Sequence, residues 1–90
     1  MDIRSLEYFL AVAQEESITR AAEVLHMTQP PLSREMKALE GELGKQLLIR
    51  GSRKVTLTEE GMLLRRRAEE LVGLMEKTRM EIQASGELVA

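Results

Sequence analysis

Residues 17–44 read SITRAAEVLHMTQPPLSREMKALEGELG and carry the signals for two helices joined by a tight turn. Ser17 is a candidate N-cap, because its hydroxyl can accept a hydrogen bond from an N–H of the opening helical turn. We predict the first helix over residues 18–25, where two alanines are small enough for a neighbouring helix to approach closely. A two-residue turn follows, so the stretch predicts a helix-turn-helix.

The second helix of this pair begins beside two prolines. Thr28 is its candidate N-cap, and Pro30 and Pro31 are tolerated because the N–H groups of a first turn have no partner within the helix. Gly44 is the predicted stop, since glycine readily adopts the left-handed conformation that follows a last turn. Spacings of four, three and four residues give this helix a buried apolar stripe, formed by Leu32, Met36, Leu39 and Leu43.

A further helix is predicted before this stretch. Asp2 is its candidate N-cap, and it is expected to run to about Glu16. Its apolar stripe consists of Ile3, Leu6, Phe9, Leu10 and Ala13.

A small hairpin with a basic tip is predicted after the stretch. Residues 47–50 and 54–57 are prone to form strands, and residues 51–53, Gly-Ser-Arg, separate them. A two-stranded hairpin is marginally stable alone, so it must pack on the helices. The side chains expected to make that contact are Leu47, Ile49, Val55 and Leu57.

A long helix is predicted over residues 58–86. Thr58 can cap it, and Glu59 and Glu60 place negative charge beside the positive end of the helix dipole. A helix of about 28 residues is about 42 Å long, more than the small body before it can cover. We therefore expect it to pair two chains as a homodimer, although packing on its own body alone remains the alternative. The predicted dimerisation residues follow heptad spacing and are Leu64, Ala68, Leu71, Met75, Thr78 and Ile82.

The composition restricts the class of protein. The chain has 90 residues, of which 43% are hydrophobic and 2% aromatic, so aliphatic side chains must fill one small core. Because cysteine is absent, disulfides, thiolate nucleophiles and cysteine-based zinc sites are excluded. No run approaches the roughly 18 apolar residues of a membrane span, and the N-terminus does not resemble a signal peptide. We expect a soluble, cytoplasmic protein without membrane contact.

The charge distribution favours DNA more than the net charge does. A net charge of −2 counts against a nucleic-acid binder, which needs clustered lysine and arginine. Residues 45–58, however, contain four basic residues and no acid, and Arg34 and Lys37 lie on the preceding helix. A solvated surface without a ligand is the alternative interpretation of such a run.

Three helices, a two-stranded wing and a long helix make a mainly α, winged helix-turn-helix fold. In this motif the third helix enters the major groove and the wing contacts the backbone or the minor groove. Glutamine and arginine suit adenine and guanine, and lysine neutralises phosphate. The predicted DNA-binding residues are Thr28, Gln29, Pro30, Pro31, Ser33, Arg34 and Lys37 on the helix, and Arg50, Ser52, Arg53 and Lys54 on the wing.

Residues 17–40, 42–48 and 53–61 together resemble the N-terminal domain of LysR-type transcriptional regulators. The combination of a Gln-Pro-Pro helix start with Leu-Glu, Leu-Gly and Leu-Thr-x-x-Gly is specific, whereas each piece alone is weak. One departure is Leu48, where the family often has phenylalanine before the wing.

The resemblance implies a winged domain at residues 1–57, a linker helix at residues 58–86 that packs antiparallel to its copy, and residues 87–90 that lead to a missing domain. The stretch from Gly86 looks like the approach to the first strand of that domain, which binds a small-molecule effector in the full-length protein. The resemblance also implies base-facing roles for Gln29, Pro30, Ser33 and Arg34, and a minor-groove role for Arg53. From the symmetry of the expected dimer we predict a partly palindromic operator in double-stranded DNA.

No enzyme chemistry is expected from these residues. His26 is the only histidine, and no cysteine, aspartate or second histidine lies at ligand spacing from it. We therefore expect no catalytic residue, no metal site and no cofactor in this fragment. The competing function is a protein-interaction module built on the long helix, but the polar face of the third helix disfavours it, since protein hot spots favour aromatic and large apolar side chains.

Overall fold

The computed structural model describes the backbone of residues 1–89 and the side chains of residues 1–85. It contains helices α1 (Ile3–Glu15), α2 (Ile18–Val24), α3 (Gln29–Leu43) and α4 (Glu59–Val89), with strands β1 (Leu48–Arg50) and β2 (Val55–Leu57) between α3 and α4. This order confirms the mainly α fold predicted from the sequence. The last helix continues through residues 86–89, which the resemblance assigns to the approach to a strand, and Ala90 lies outside the described residues.

Side chains cap three of the helices as predicted. Asp2 accepts a hydrogen bond from the Ser5 N–H at 2.8 Å, and Ser17 accepts one from the Arg20 N–H at 3.1 Å. Thr58 accepts one from the Gly61 N–H at 3.0 Å. The bonds from the Ser5 N–H and then from its hydroxyl hold the pKa of the Asp2 carboxyl below its usual value.

Thr28 occupies the N-cap position of α3 as predicted, but the capping hydrogen bond expected from its side chain is not formed. Its backbone geometry is extended, and it directly precedes the helix. A capping side chain accepts from the second or third N–H of its helix. In α3 these positions are Pro30 and Pro31, which have no N–H. Thr28 therefore precedes the helix without a capping hydrogen bond.

The core lies where α1, α2, α3 and the hairpin meet. Its largest fully buried side chains are Phe9, Val12, Leu32, Met36 and Leu48. Ala21 and Ala22 of α2 are also buried, as the close approach of neighbouring helices requires. Gly44, with a φ of 68°, ends α3 at the predicted position.

The hairpin packs on this core with a different set of side chains from the predicted one. Leu47 and Leu48 are buried, and Val55 and Leu57 pack partly buried against the cluster. Ile49, which we expected to face the helices, is 47% exposed. It pairs with Thr56 on one side of the hairpin, whereas Leu48 pairs with Leu57 on the other, and neighbouring side chains alternate across a strand. Leucine at residue 48 thus fills the buried position.

The first turn of α4 contacts the residue before β1. The Thr58 N–H donates to the Leu47 carbonyl oxygen at 3.0 Å. A Cβ atom at Gly61 would lie 2.2 Å from the same oxygen, so only glycine fits there. This contact fixes the direction in which α4 leaves the hairpin.

Candidate nucleic-acid interface

The start of α3 presents a polar face to solvent. Gln29, Pro30, Arg34 and Lys37 are exposed, and Pro31 and Ser33 are half-buried. Leu32, Met36 and Leu39 occupy the opposite face and are buried in the core. Since residues three and four positions apart are neighbours on a helix, Pro30, Ser33, Arg34 and Lys37 form one continuous patch. Thr28 lies exposed just before this patch.

The tip of the wing is exposed and basic. Arg50, Ser52, Arg53 and Lys54 are all solvent-accessible. The turn is closed by a hydrogen bond from the Gly51 N–H to the Lys54 carbonyl oxygen at 3.1 Å. Ser52, Arg53 and Lys54 therefore lie on one short, closed turn, and Arg50 lies at the end of β1 directly before it.

A side-chain hydrogen bond joins the wing to α3. Arg50 Nη1 donates to Ser33 Oγ at 3.0 Å. In the hairpin register Arg50 pairs with Val55 and lies on the same strand face as the buried Leu48, which directs its side chain toward the helices. Two of the predicted DNA-binding residues, 17 positions apart, are thus brought into direct contact.

The wing is also attached to the end of α1. Glu16 has a left-handed φ of 55°, and its carbonyl oxygen accepts from the Val55 N–H at 2.9 Å. The Lys54 ammonium lies 3.6 Å from Glu16 Oε2 in an exposed ion pair. The sequence analysis missed this role of Glu16, because the contact depends on how α1 and β2 pack in three dimensions.

Glu40 provides a third attachment. Its Oε2 atom accepts hydrogen bonds from the Leu47 N–H at 2.8 Å and the Leu48 N–H at 3.1 Å. The carboxylate therefore satisfies two backbone donors at the start of β1 and ties the last turns of α3 to the wing. The only sequence signal for this residue was the Leu-Glu pair in the resemblance, which did not indicate what the carboxylate contacts.

The predicted dimerisation residues divide into two groups. Ala68 is completely buried within its own chain, and Leu64 packs against the core cluster. The burial of Ala68 within its own chain corrects its assignment to a surface between chains, whereas Leu64 is half-buried and its role in dimerisation stays a prediction. Met75 is half-buried, and Leu71, Thr78 and Ile82 are exposed, Leu71 by 46% and Ile82 by 69%. The exposed residues of this later group are accessible to a second chain.

The described residues contain no group of three or more histidine, cysteine, aspartate or glutamate side chains that could hold a metal ion. Among these same residues, no helix combines the length and the apolar character needed to cross a membrane.

Comparison with known proteins identifies the family. Residues 3–62 match the family described as bacterial regulatory helix-turn-helix protein, lysR family. The chain is 50% identical to the HTH-type transcriptional regulator BsdA of Bacillus subtilis over 91 residues, which cover 100% of this chain and 31% of BsdA. It thus spans about a third of that relative's length.

Solved structures of the same fold include two DNA complexes. The BenM DNA-binding domain bound to benA site 1 DNA superimposes with a TM-score of 0.92 and 43% identity, covering 96% of this chain and 97% of the other. The DNA-binding domain of CbnR in its DNA complex gives a TM-score of 0.91 and 37% identity, covering 96% and 99%. By sequence and by fold, this chain belongs to the LysR family of bacterial helix-turn-helix regulators, within the DNA-binding domain.

Proposed function

We propose that the chain binds double-stranded DNA as a homodimer, with α3 in the major groove and the wing in the minor groove. The observation that carries the proposal is the attachment of the basic wing to the polar face of α3 through Arg50 and Ser33. Because the two surfaces are held together, they are able to contact one duplex at the same time. The DNA complexes of BenM and CbnR, which share this fold, support the proposal.

The residue types on these surfaces suggest their roles. Gln29 and Arg34 can form paired hydrogen bonds with adenine and guanine, and Lys37 suits a phosphate. Arg53 at the wing tip suits the minor groove, whose negative potential attracts arginine. Thr28, Pro30 and Pro31 help to shape the end of α3 that approaches the bases.

The exposed part of α4 supports the dimer. A helix of 31 residues is about 46 Å long, and Leu71, Leu74 and Ile82 are exposed along it after the buried Ala68. Antiparallel pairing of two such helices would cover these apolar side chains. A symmetric dimer would place its two recognition helices roughly 34–36 Å apart, in successive major grooves of a partly palindromic operator.

We assign the control of transcription to the full-length regulator in the bacterial cytoplasm. Since this chain spans 31% of BsdA, any small-molecule effector is proposed to bind outside these residues. No cofactor is assigned to these residues.

Replacement of Arg34 by alanine tests the base-reading role. On a specific duplex we expect affinity to fall by about 1–3 kcal/mol, or roughly 5- to 150-fold, with relaxed preference at one base pair. Arg79→Ala is the matched control, because Arg79 is exposed on the second half of α4, paired with Glu76. It should leave DNA affinity unchanged. Equal losses on specific and scrambled duplexes for Arg34→Ala would assign Arg34 to a phosphate and contradict base reading.

A further inference from the structure

The hydroxyl of Ser33 lies on the face of α3 that we assign to DNA. A serine hydroxyl can donate one hydrogen bond and accept two, so an isolated serine bonds to donor and acceptor base edges alike. Such a residue contributes little base preference on its own. In this chain, however, its oxygen already has a partner.

That partner, Arg50, can only donate. The guanidinium carries five N–H donors, has no acceptor and remains protonated. The bond from Arg50 Nη1 therefore always uses the Ser33 oxygen as the acceptor. The serine hydrogen is directed away from the guanidinium, and the adjacent positive charge strengthens the hydroxyl as a donor and weakens it as an acceptor.

The backbone at Arg50 is held in place by contacts within the chain. Leu48, two residues earlier on β1, is buried in the core, and its N–H is held by the Glu40 carboxylate. The next strand is fixed by the bond from the Val55 N–H to the Glu16 carbonyl oxygen. β1, which contains Arg50, is thus attached to α3, and β2, which pairs with it, is attached to the end of α1. The contact with Ser33 is a consequence of this fold.

We infer that Arg50 is a positioning residue that biases the Ser33 hydroxyl toward donating rather than accepting hydrogen bonds, and so sets which bases Ser33 prefers. The inference rests on the proposed function, because it assumes that α3 lies in the major groove. Guanine, adenine and thymine present acceptor atoms there, whereas cytosine presents the N4 amino group, a donor. Ser33 therefore disfavours cytosine at the base that it faces.

The test measures base preference in four proteins: the wild-type chain, Arg50→Met, Ser33→Ala and the double variant. Each is titrated by fluorescence anisotropy against duplexes that carry each of the four bases at the position facing Ser33. That position is identified as the one at which Ser33→Ala abolishes the base preference of the wild-type chain. The wild-type chain should bind the cytosine duplex about three- to tenfold more weakly, which corresponds to one net hydrogen bond.

Arg50→Met keeps a long apolar side chain but removes every donor. It should reduce discrimination against cytosine to less than about twofold, because the positive charge that weakens the Ser33 hydroxyl as an acceptor is then gone and both of its acceptor positions are free. The double variant should discriminate no differently from Ser33→Ala alone, since the two residues act as one unit. Arg53→Met, the same change at the wing tip, is the matched control and should leave this discrimination intact. Thermal melting establishes that all variants fold.

Three results would overturn the inference. One is wild-type preference for cytosine at this position, and another is the absence of any position at which Ser33→Ala changes preference. The third is an Arg50→Met variant that keeps the discrimination and loses affinity equally for all four duplexes, with a salt slope shallower by about 1.8, as expected when each chain of the dimer loses one phosphate contact. Each of these three results is compatible with the proposed DNA-binding function. A wild-type chain that does not distinguish specific from scrambled DNA would contradict both.

Discussion

Replacement of Glu40 by alanine should destabilise the protein more than its partly exposed position suggests. The substitution removes the acceptor of two backbone N–H groups, those of Leu47 and Leu48, at 2.8 and 3.1 Å. Hydrogen bonds to charged groups contribute about 1.5–3 kcal/mol each, and partial solvation lowers the sum for this pair to about 2–4 kcal/mol. The free energy of unfolding of a domain of this size is about 5–13 kcal/mol, so Glu40→Ala should remove a large fraction of it.

Two further variants separate the causes of this loss. Both bonds use the single atom Oε2, so Glu40→Gln can retain both through its amide oxygen and lose only the charge. We expect it to lose about 1 kcal/mol. Glu70→Ala is the control, because Glu70 forms a 2.8 Å ion pair with Arg67 that is exposed to solvent. Its loss should stay below about 0.5 kcal/mol despite the short distance.

Urea unfolding followed by circular dichroism at 222 nm measures the stability of the three variants relative to wild type. The comparison is made at one protomer concentration, since the stability of an associating protein depends on concentration. The expected order of destabilisation is Glu40→Ala, then Glu40→Gln, then Glu70→Ala. Equal unfolding midpoints for Glu40→Ala and Glu70→Ala would refute the reasoning that Glu40 holds the wing to α3.

Three other predictions concern the remaining contacts. Gly61→Ala should destabilise the chain by about 1–3 kcal/mol, because its Cβ would lie 2.2 Å from the Leu47 carbonyl oxygen. Gly73→Ala is the control, because a Cβ at that site would meet open space. Equal stabilities of the two variants in urea would contradict the close approach at Gly61. Leu71→Glu should produce monomers in sedimentation velocity and weaken DNA binding, whereas an unchanged sedimentation profile would refute the role of this residue in dimerisation. The pKa of Asp2 is lowered in the folded chain, so the contribution of its carboxylate to stability is present above the usual carboxyl pKa and is lost as pH falls below about 4. The difference in melting temperature between wild type and Asp2→Asn should therefore shrink as pH falls through this range. A difference that stays constant would contradict the capping role of Asp2.

Features of the fold that depend on residues near in sequence were predicted correctly. The caps at Asp2, Ser17 and Thr58 each involve an N–H three residues later, and the stop at Gly44 depends on one residue's backbone freedom. The capping hydrogen bond of Thr28 was mispredicted although the necessary information was local. The two prolines that mark the start of α3 are also the residues that remove the donors a cap needs.

Features that depend on packing could not be obtained from periodicity alone. Ile49 and Leu48 are both apolar neighbours on a short strand, and only the register of β1 against β2 shows which of them faces the core. Ala68 fits the heptad of a dimer seam, yet α4 first packs on α1 and buries this residue within its own chain. A heptad pattern does not distinguish a partner helix from another helix of the same chain.

The candidate site was predicted in composition but not in arrangement. The polar face of α3 and the basic wing followed from residue type and helical spacing. The contacts that join them follow from Glu16, Ser33 and Glu40, which meet wing residues 7 to 39 positions away. Such contacts leave no periodic signal in a single sequence.

The central claim is that α3 and the wing bind DNA together in a symmetric dimer. Its most direct test is fluorescence anisotropy of the chain with a palindromic duplex and a scrambled control across a series of salt concentrations. If each chain contacts about four phosphates, the logarithm of affinity should fall against the logarithm of salt with a slope near −7, and the palindrome should bind more tightly at every salt concentration. A slope near zero, or no binding at low salt, would contradict the claim.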